Sequence, residues 1–334
     1  MNKAKMVKSG IFSLFLSWTS ASIAQAPTSE IRDGKPVKSG IFSGVVQIGS
    51  FYKNSAGLYN FRQSCNATLI APTKVLTAAH CNILFNSYIA EKQWDVVKSK
   101  DNISVVIKMK NIKARTEADL KAKLQSAGIA FSRAKPKDYT LHPSIDLPLV
   151  PEDGNIWNPK KRLQQGLFPD LMILELDSAF PPSITPIRVA NKNTVAKLKA
   201  GTRVDAVGYG LISENRSSRE MRQVSLKLMD LAACRKIDIE IQRARNSDVY
   251  NAFPGNSQLC TYEKDKGACS GDSGGPLIIF NNGEPQVVGV TSWGIQKNGK
   301  SCSSPGEPRL NVWAKPAHYP AWFDSAAQLD YSIK

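Results

Sequence analysis

Residues 267–277 read GACSGDSGGPL, and the interpretation of the whole chain starts from this stretch. Glycines on both sides of Ser273 allow the backbone to turn sharply and to approach another molecule closely. Such a turn can direct the Ser273 hydroxyl outward and leave the backbone N–H groups of Gly271 and Ser273 free to bind a developing oxyanion. The pattern marks Ser273 as a candidate nucleophile, although a glycine- and serine-rich surface turn would look the same.

A nucleophilic serine requires a base to accept its proton and a third group to orient that base. The chain has three histidines, and His80 lies in VLTAAHC at the end of an apolar run. Small residues before His80 would let the backbone pack closely and present the imidazole at a strand end. An α/β-hydrolase carries its base after the serine, so the order of His80 before Ser273 favours another template. A structural histidine remains the alternative for His80 taken alone.

Composition limits the class of protein. The chain has 334 residues, 42% hydrophobic and 22% charged, so it can form a core and is not of the disordered type. Its formal charge of +16 would suit nucleic acid, an anionic surface or an acidic substrate. The sequence contains no zinc-finger spacing, RNP-like run or P-loop, so we expect general surface basicity and no nucleic-acid partner.

Much of the positive charge lies in residues 92–137, which hold twelve Lys or Arg and four acids. This stretch predicts a solvated, insertion-type loop with a short helix. The alternative is an exosite for an anionic partner. Residues 148–169, rich in Pro, Asn and Gln, predict a second long surface loop.

The N-terminal residues have the pattern of a secretory signal peptide. Three lysines precede a short apolar run at residues 11–18, and small residues follow as far as Ala26. That run is too short for a membrane span, and no later run is apolar enough for one. We expect a signal peptide over residues 1–24 and a soluble, exported product, either extracellular or periplasmic, with no transmembrane segment.

The rest of the chain consists of short β-type runs separated by turn residues. Examples are residues 43–48, 67–76, 171–176, 204–207, 277–280 and 287–292. Runs of this length predict an all-β sandwich or barrel. Two stretches favour helices. Residues 116–127 begin with a capping threonine and are followed by Gly128, and residues 317–329 carry three aromatic side chains.

Six cysteines in an exported chain predict three disulfides. Spacing alone leaves fifteen pairings open. The absence of a CxxC sequence argues against a zinc site or a redox pair. We expect no metal and no organic cofactor.

Two segments carry a family resemblance. LTAAHC around His80 and GDSGGP around Ser273 resemble the two signature motifs of the chymotrypsin/trypsin family of serine endopeptidases. In the family, the third catalytic residue is the first residue of a strand. The stretch DLMILEL, which begins at Asp170, matches the sequence pattern of that strand. Asp146 in IDLPLV is a rival, but Pro148 would interrupt its strand ladder. The His142-Pro143 pair resembles one that precedes this strand in the family, which implies a structural role for His142.

The resemblance implies a fold of two packed six-stranded antiparallel β-barrels with a C-terminal helix. The first barrel would span residues 31–190, the second 200–316 and the helix 317–329, all within a protease domain at 31–334. Catalysis would use His80, Asp170 and Ser273, with an oxyanion hole at the Gly271 and Ser273 amides. The implied disulfides are Cys65–Cys81, Cys234–Cys260 and Cys269–Cys302.

Activation and specificity also follow from the resemblance. Residues 25–30 would be a short propeptide, and cleavage before Ile31 would free an amino group to pair with Asp272. The primary pocket would be lined by Gly267, Ser292, Trp293, Gly294 and Gly306. Gly267 stands where trypsin-type members have aspartate, so we expect an open apolar slot. If Arg309 instead reached the slot, acidic residues would be preferred, and if Glu307 did, basic ones would be.

The function expected from the sequence is that of a secreted serine endopeptidase, made as a zymogen and working through an acyl-enzyme. Its partners would be a polypeptide substrate, a protein inhibitor and an activating protease, and we expect a monomer. The alternative is a non-catalytic binding protein on a protease fold that uses the basic region 92–137.

Overall fold

The computed structural model describes residues 34–37, 40–81, 104–106, 113–141, 169–213, 216–218, 220–246, 256–299 and 306–327. The strands are β1 (Lys35–Pro36), β2 (Val45–Lys53), β3 (Tyr59–Ala71), β4 (Lys74–Thr77), β5 (Ser104–Val106), β6 (Phe131–Leu141), β7 (Met172–Leu176), β8 (Arg188–Val189), β9 (Arg203–Gly208), β10 (Leu211–Ser213), β11 (Arg216–Ser217), β12 (Arg222–Lys227), β13 (Gln258–Lys264), β14 (Pro276–Asn281), β15 (Glu284–Ile295) and β16 (Pro308–Ala314). The helices are α1 (Glu117–Ser126), α2 (Lys192–Ala196), α3 (Leu231–Ala244), a 3₁₀ turn (Pro316–His318) and α4 (Pro320–Ala327).

Six strands between Val45 and Leu176 form a closed barrel, in the order β2-β3-β4-β7-β6-β5. Each neighbouring pair that closes it is antiparallel. The apolar side chains of these short runs point inward, and Val45, Leu69, Leu76 and Leu174 are almost fully buried. Closure removes the exposed strand edges that an open sheet of this size would leave.

The second sheet follows the order β1-β12-β9-β14-β15-β16-β13. An isolated antiparallel bridge between Leu228 and Thr261 brings the end of β12 to β13, so six of its strands curl into a second barrel. The predicted two-barrel, all-β class is therefore confirmed. Strands β1 and β8, which precede β9 in the chain, pair with β12 and β15 of this sheet.

The two barrels share apolar packing with α4. One buried cluster contains Leu76 of the first sheet, Val287 of the second, and Trp322 and Phe323 of α4. The predicted C-terminal helix is present but begins at Pro320, because a 3₁₀ turn occupies Pro316–His318. None of the helices in the described ranges is long and apolar enough to cross a membrane.

The capping prediction for α1 is confirmed, because Thr116 Oγ1 accepts the N–H of Asp119 at 3.2 Å. Gly128 follows the helix with φ +66°, a conformation that glycine adopts without steric cost. However, the prediction of a loop around this helix was wrong. Residues 104–106 and 131–137 belong to β5 and β6, which are two strands of the first barrel.

Helix α3 was not predicted. Asp230 caps it by accepting the N–H groups of Ala232 and Ala233. Its buried residues, Cys234, Asp238, Ile241 and Gln242, follow a helical spacing, but two of them are polar. Apolar residues of this helix, among them Leu231, Cys234, Ile237 and Ile241, pack into one cluster at helical spacing, so the sequence carried a signal that the prediction missed.

Candidate active site

The pairing of β4 with β7 brings His80 and Asp170 together. Thr77, the last residue of β4, lies opposite Met172, the first residue of β7. His80 follows Thr77 by three residues and Asp170 precedes Met172 by two, so both emerge from the same end of this strand pair. His80 Nδ1 lies 2.7 Å from Asp170 Oδ2. The predicted base and its predicted orienting carboxylate are therefore in hydrogen-bond contact.

The Asp170 carboxylate is fully buried and has more than one donor. Its Oδ1 accepts the backbone N–H of His80 at 2.9 Å. Its Oδ2, besides contacting the imidazole, accepts the Ser292 hydroxyl at 2.6 Å. These donors fix the carboxylate in one orientation, and it in turn fixes the plane of the His80 ring.

The loop carrying Ser273 packs against the segment that ends in His80. The Ser273 carbonyl accepts the N–H of Asn66 at 2.7 Å. The Thr77 hydroxyl donates to the Asn66 carbonyl at 2.8 Å. A β-carbon on Gly274 would overlap Thr77 Oγ1 and the Asn66 carbonyl oxygen. The chain thus places the residue after Ser273 directly beside the end of β4.

Replacing Gly274 with alanine is expected to lower the free energy of unfolding by roughly 2–5 kcal/mol, combining backbone strain with overpacking. Gly274 has φ +76° and no room for a side chain. Gly283 has φ +84°, but a β-carbon added there would meet nothing within 4 Å, so Gly283→Ala isolates the strain alone. Urea unfolding of both variants measures the difference. Equal losses in the two variants would show that the contact with β4 is not tight.

The geometry around the predicted oxyanion hole is compatible with its role. Gly271 has φ +86°, and its carbonyl accepts Asn66 Nδ2 at 2.8 Å. Within the described ranges, neither the Gly271 amide nor the Ser273 amide donates a backbone hydrogen bond. Ser273 itself is only partly buried. Two N–H groups next to a reachable hydroxyl are the donors that an oxyanion requires.

Asp272, the acid before the candidate nucleophile, is buried against glycines. Its Oδ1 accepts the N–H of Gly210 and its Oδ2 accepts the N–H of Cys269, both at 2.8 Å. Burial raises the pKa of Asp272 to about 6, although these two amides and the charge of Arg309 oppose the shift. A β-carbon at Gly208 or Gly210 would overlap this carboxyl group. The Asp272 carboxyl group is therefore enclosed, and its negative charge is only partly compensated.

One disulfide includes Cys81, the residue after His80. The structure contains Cys65–Cys81 and Cys234–Cys260, the same pairs that the resemblance implied. Cys269 is also disulfide-bonded, while Cys302 falls outside the described residues. Cys65, His80 and Cys81 lie close enough for their ligand atoms to suit a metal. Because both sulfurs are bonded to each other, they are not thiolates and this cluster does not have the donors of a metal site.

The predicted pocket residues are only partly brought together. Ser292, Trp293 and Gly294 lie in sequence on β15, and Ser292 reaches Asp170. Gly294 pairs with Asn311 of β16. Gly306 precedes β16, and its N–H donates to Asp265 Oδ1 at 2.7 Å. The structure therefore does not place Gly306 opposite Gly294.

Two polar residues occupy the place expected to be apolar. A β-carbon added to Gly294 would lie 2.7 Å from an Arg309 guanidinium nitrogen and 2.8 Å from Asn311 Nδ2. The expectation of an open apolar slot was wrong, because the strand register brings Arg309 and Asn311 to Gly294. Asn311 was missed in the sequence, whereas Arg309 was one of the alternatives.

Four predicted residues cannot be placed. Ile31, His142, Cys302 and the rival acid Asp146 lie outside the described residues. His318, the histidine after Ser273, lies in the 3₁₀ turn before α4, where its ring contacts that of Tyr319. His318 therefore belongs to the C-terminal packing.

The chain is similar in sequence to known proteins. A family model described as Trypsin matches residues 152–322, about half of the chain, including Asp170 and Ser273. The chain is 29% identical to Trypsin epsilon of Drosophila erecta over 46% of its length, and 34% identical to Granzyme M of Homo sapiens over 37%. The aligned parts cover 52% and 45% of those relatives, about half of each. A Trypsin of Saccharopolyspora erythraea is 24% identical over 77% of this chain and 84% of its own. Family match, fold and motifs agree, and the chain belongs to the trypsin family of serine endopeptidases.

Proposed function

We propose that this protein is a secreted serine endopeptidase that hydrolyses peptide bonds through Ser273, His80 and Asp170. The observation that carries the proposal is the 2.7 Å contact of His80 Nδ1 with Asp170 Oδ2, next to the docked Ser273 loop. A base held by a buried carboxylate beside a serine in a glycine-rich loop is the arrangement that acyl transfer needs. Membership of the trypsin family supports the same chemistry.

In the first half of the reaction, His80 Nε2 accepts the proton of Ser273 as the hydroxyl oxygen attacks the substrate carbonyl carbon. The carbonyl oxygen gains the negative charge and is bound by the Gly271 and Ser273 amides. When the C–N bond breaks, the imidazolium donates its proton to the departing amine. An ester between Ser273 and the acyl part of the substrate remains.

In the second half, His80 takes a proton from water, and the resulting hydroxide equivalent attacks the ester carbon. The same amides bind the second oxyanion. The proton then returns from His80 to the Ser273 oxygen as the acid product leaves. Each oxyanion donor contributes about 3–4 kcal/mol to lowering such a barrier. Asp170 remains a carboxylate throughout and stabilises the imidazolium.

Activation by proteolysis is part of the proposal. Cleavage between Glu30 and Ile31 would free an ammonium group for Asp272, whose pKa is raised to about 6 chiefly by burial. A positive partner would favour the ionised form of this buried carboxyl and order the adjacent Gly271 amide. N-terminal sequencing of the active enzyme is expected to read IRDG. Any other first residue in a fully active form would refute this step.

A signal peptide over residues 1–24 would export the chain to the oxidising compartment where the observed disulfides form. The substrate would be a polypeptide, which can pair with β15 in extended conformation beside Ser273.

A fluorophosphonate probe tests the proposal, because it reacts with serines activated by a base. The secreted protein, before and after limited proteolysis, is expected to incorporate one probe molecule at Ser273. Ser270→Ala is the matched control, since it removes another hydroxyl from the same loop and should label normally. Ser273→Ala should not label.

Two outcomes would contradict the proposal. Normal labelling of Ser273→Ala would show that another serine is the nucleophile. No labelling of the wild type, together with tight retention on a heparin column, would favour the non-catalytic binding protein.

A further inference from the structure

The substrate side chain before the scissile bond must lie next to Ser273, and two segments lead there. Ser292 bonds to Asp170, so β15 passes the candidate triad and reaches Gly294 two residues later. The other segment runs from Gly267 through Ala268 to the Ser273 loop. Whatever lines the space between these segments would select the substrate side chain, if the proposed endopeptidase function holds.

Both segments have glycine where a side chain would fill that space, and the same Asn311 amide faces each of them. A β-carbon on Gly267 would overlap Asn311 Oδ1, and one on Gly294 would lie 2.8 Å from Asn311 Nδ2. Asn311 is 1% exposed, so this amide lines the interior between the two glycines. The positions that side chains would occupy at the two glycines are therefore bordered by polar groups rather than by an apolar wall.

The orientation of the Asn311 amide follows from its hydrogen bond. Asn311 Oδ1 accepts the N–H of Ala268 at 2.8 Å, which places the NH₂ group on the side of Gly294. Among the residues that the structure describes, Nδ2 has no hydrogen-bond partner. A buried donor without an acceptor destabilises the folded protein, and an acceptor on a bound ligand would remove this unfavourable free energy.

Arg309 adds a positive charge to the same side of β16, two residues from Asn311. Its guanidinium nitrogens would lie 2.7 and 2.9 Å from a β-carbon on Gly294. Arg309 is 6% exposed. Burial lowers its pKa to about 10 and the Asp272 charge opposes the shift, so the side chain is a cation at neutral pH.

The neighbouring carboxylates have other partners. Asp272 accepts the amides of Gly210 and Cys269. Glu263, which lies opposite Arg309 across the β13–β16 pair, accepts the N–H of Lys227 at 3.1 Å. The charge of Asp272 acts on Arg309, and the hydrogen bonds of both acids anchor them to backbone groups.

We propose that Arg309 and Asn311 form the primary specificity pocket and select peptides with aspartate or glutamate immediately before the scissile bond. The substrate carboxylate would accept hydrogen bonds from the guanidinium and from Asn311 Nδ2 beside Gly294. Charge-assisted bonds of this kind are stronger than neutral ones and have a defined geometry.

Fluorogenic peptides that differ only at this position test the proposal. The set carries Asp, Glu, Asn, Gln, Leu, Phe or Lys. We expect kcat/KM for the better of Asp and Glu to exceed that of its amide isostere by about 100-fold, because the neutral amide cannot form the charge-assisted bond with the guanidinium. Arg309→Gln is expected to reduce this ratio to about 3-fold or less.

Two variants accompany Arg309→Gln. Lys297→Gln removes an exposed positive charge just after β15, so it controls for the general electrostatic field and should keep the acid preference. Asn311→Asp keeps an oxygen that can accept the Ala268 N–H and replaces the NH₂ donor with a negative atom. It should also abolish the preference, which tests the pocket if Arg309→Gln fails to fold.

The results separate this inference from the proposed function. Failure of fluorophosphonate to label Ser273 would contradict the proposed function itself. A labelled enzyme that cleaves best after Leu, Phe or Lys, or that cleaves none of the peptides, would overturn the acidic pocket alone. A preference for acid that survives in Arg309→Gln and Asn311→Asp would overturn the assignment of these residues.

Discussion

Ser273→Ala is expected to lower kcat for peptide hydrolysis by about 10⁶-fold, the loss typical of removing a triad serine. The variant lacks the hydroxyl that forms the acyl-enzyme, so only water bound near the oxyanion amides could attack the substrate. The change is small in structural terms, because the contacts that hold the loop use the Ser273 carbonyl and not its side chain. Steady-state hydrolysis of a peptide substrate measures the effect.

A double variant makes this prediction sharper. His80→Ala should lose a similar factor, and His80→Ala with Ser273→Ala should lose little more than either alone, because the two residues act as a unit. Losses that multiply in the double variant would show that the two side chains act independently. Urea unfolding midpoints of the variants close to that of the wild type would exclude misfolding as the cause.

The residues of the candidate site could be proposed from the sequence because each of the motifs that contain them is a short, continuous stretch. The glycines around Ser273 and the small residues before His80 are adjacent in sequence, and the structure shows a steric reason for several of the glycines. Gly274 has no space for a β-carbon beside Thr77, and Gly208 and Gly210 have none beside Asp272. Steric requirements of this kind can be recognised in the sequence, because glycine is the residue that meets them.

The lining beside Gly294 could not be predicted in the same way. It depends on which residue of β16 lies opposite β15, and a shift of one residue would turn the other face of the strand toward the site. The β15–β16 pairing also contains an irregularity between Thr291 and Trp293. The sequence therefore allowed Gly306, Glu307 or Arg309 at this place, whereas the observed register brings Arg309 and Asn311.

Helix α3 shows a second limit. Its cap, Asp230, was recognisable as a residue type, but Asp238 and Gln242 lie on its buried face, where Gln242 Nε2 donates to Asp238 Oδ1 at 3.2 Å. The apolar spacing of Leu231, Cys234, Ile237 and Ile241 was a visible signal for this helix, but the same spacing does not reveal that a polar pair is buried beside it. Burial raises the pKa of Asp238 to about 6, and the hydrogen bond from Gln242 opposes the shift. The burial of Asp238 is known only from the fold.

Asp170→Asn is expected to lower kcat by about 10⁴-fold. In the wild type, the carboxylate can only accept hydrogen bonds, so the Nδ1 that lies 2.7 Å from Oδ2 must carry the proton. Nε2 then offers its lone pair to the Ser273 proton. An asparagine NH₂ group at this position would donate to Nδ1, move the ring proton to Nε2 and remove the base.

Ser292→Ala is the control, because it removes one donor to the same Oδ2 and leaves the carboxylate. It should lower kcat by less than about 10-fold. Similar losses in the two variants would mean that Asp170 acts only as a packing group, and the assigned tautomer of His80 would be wrong.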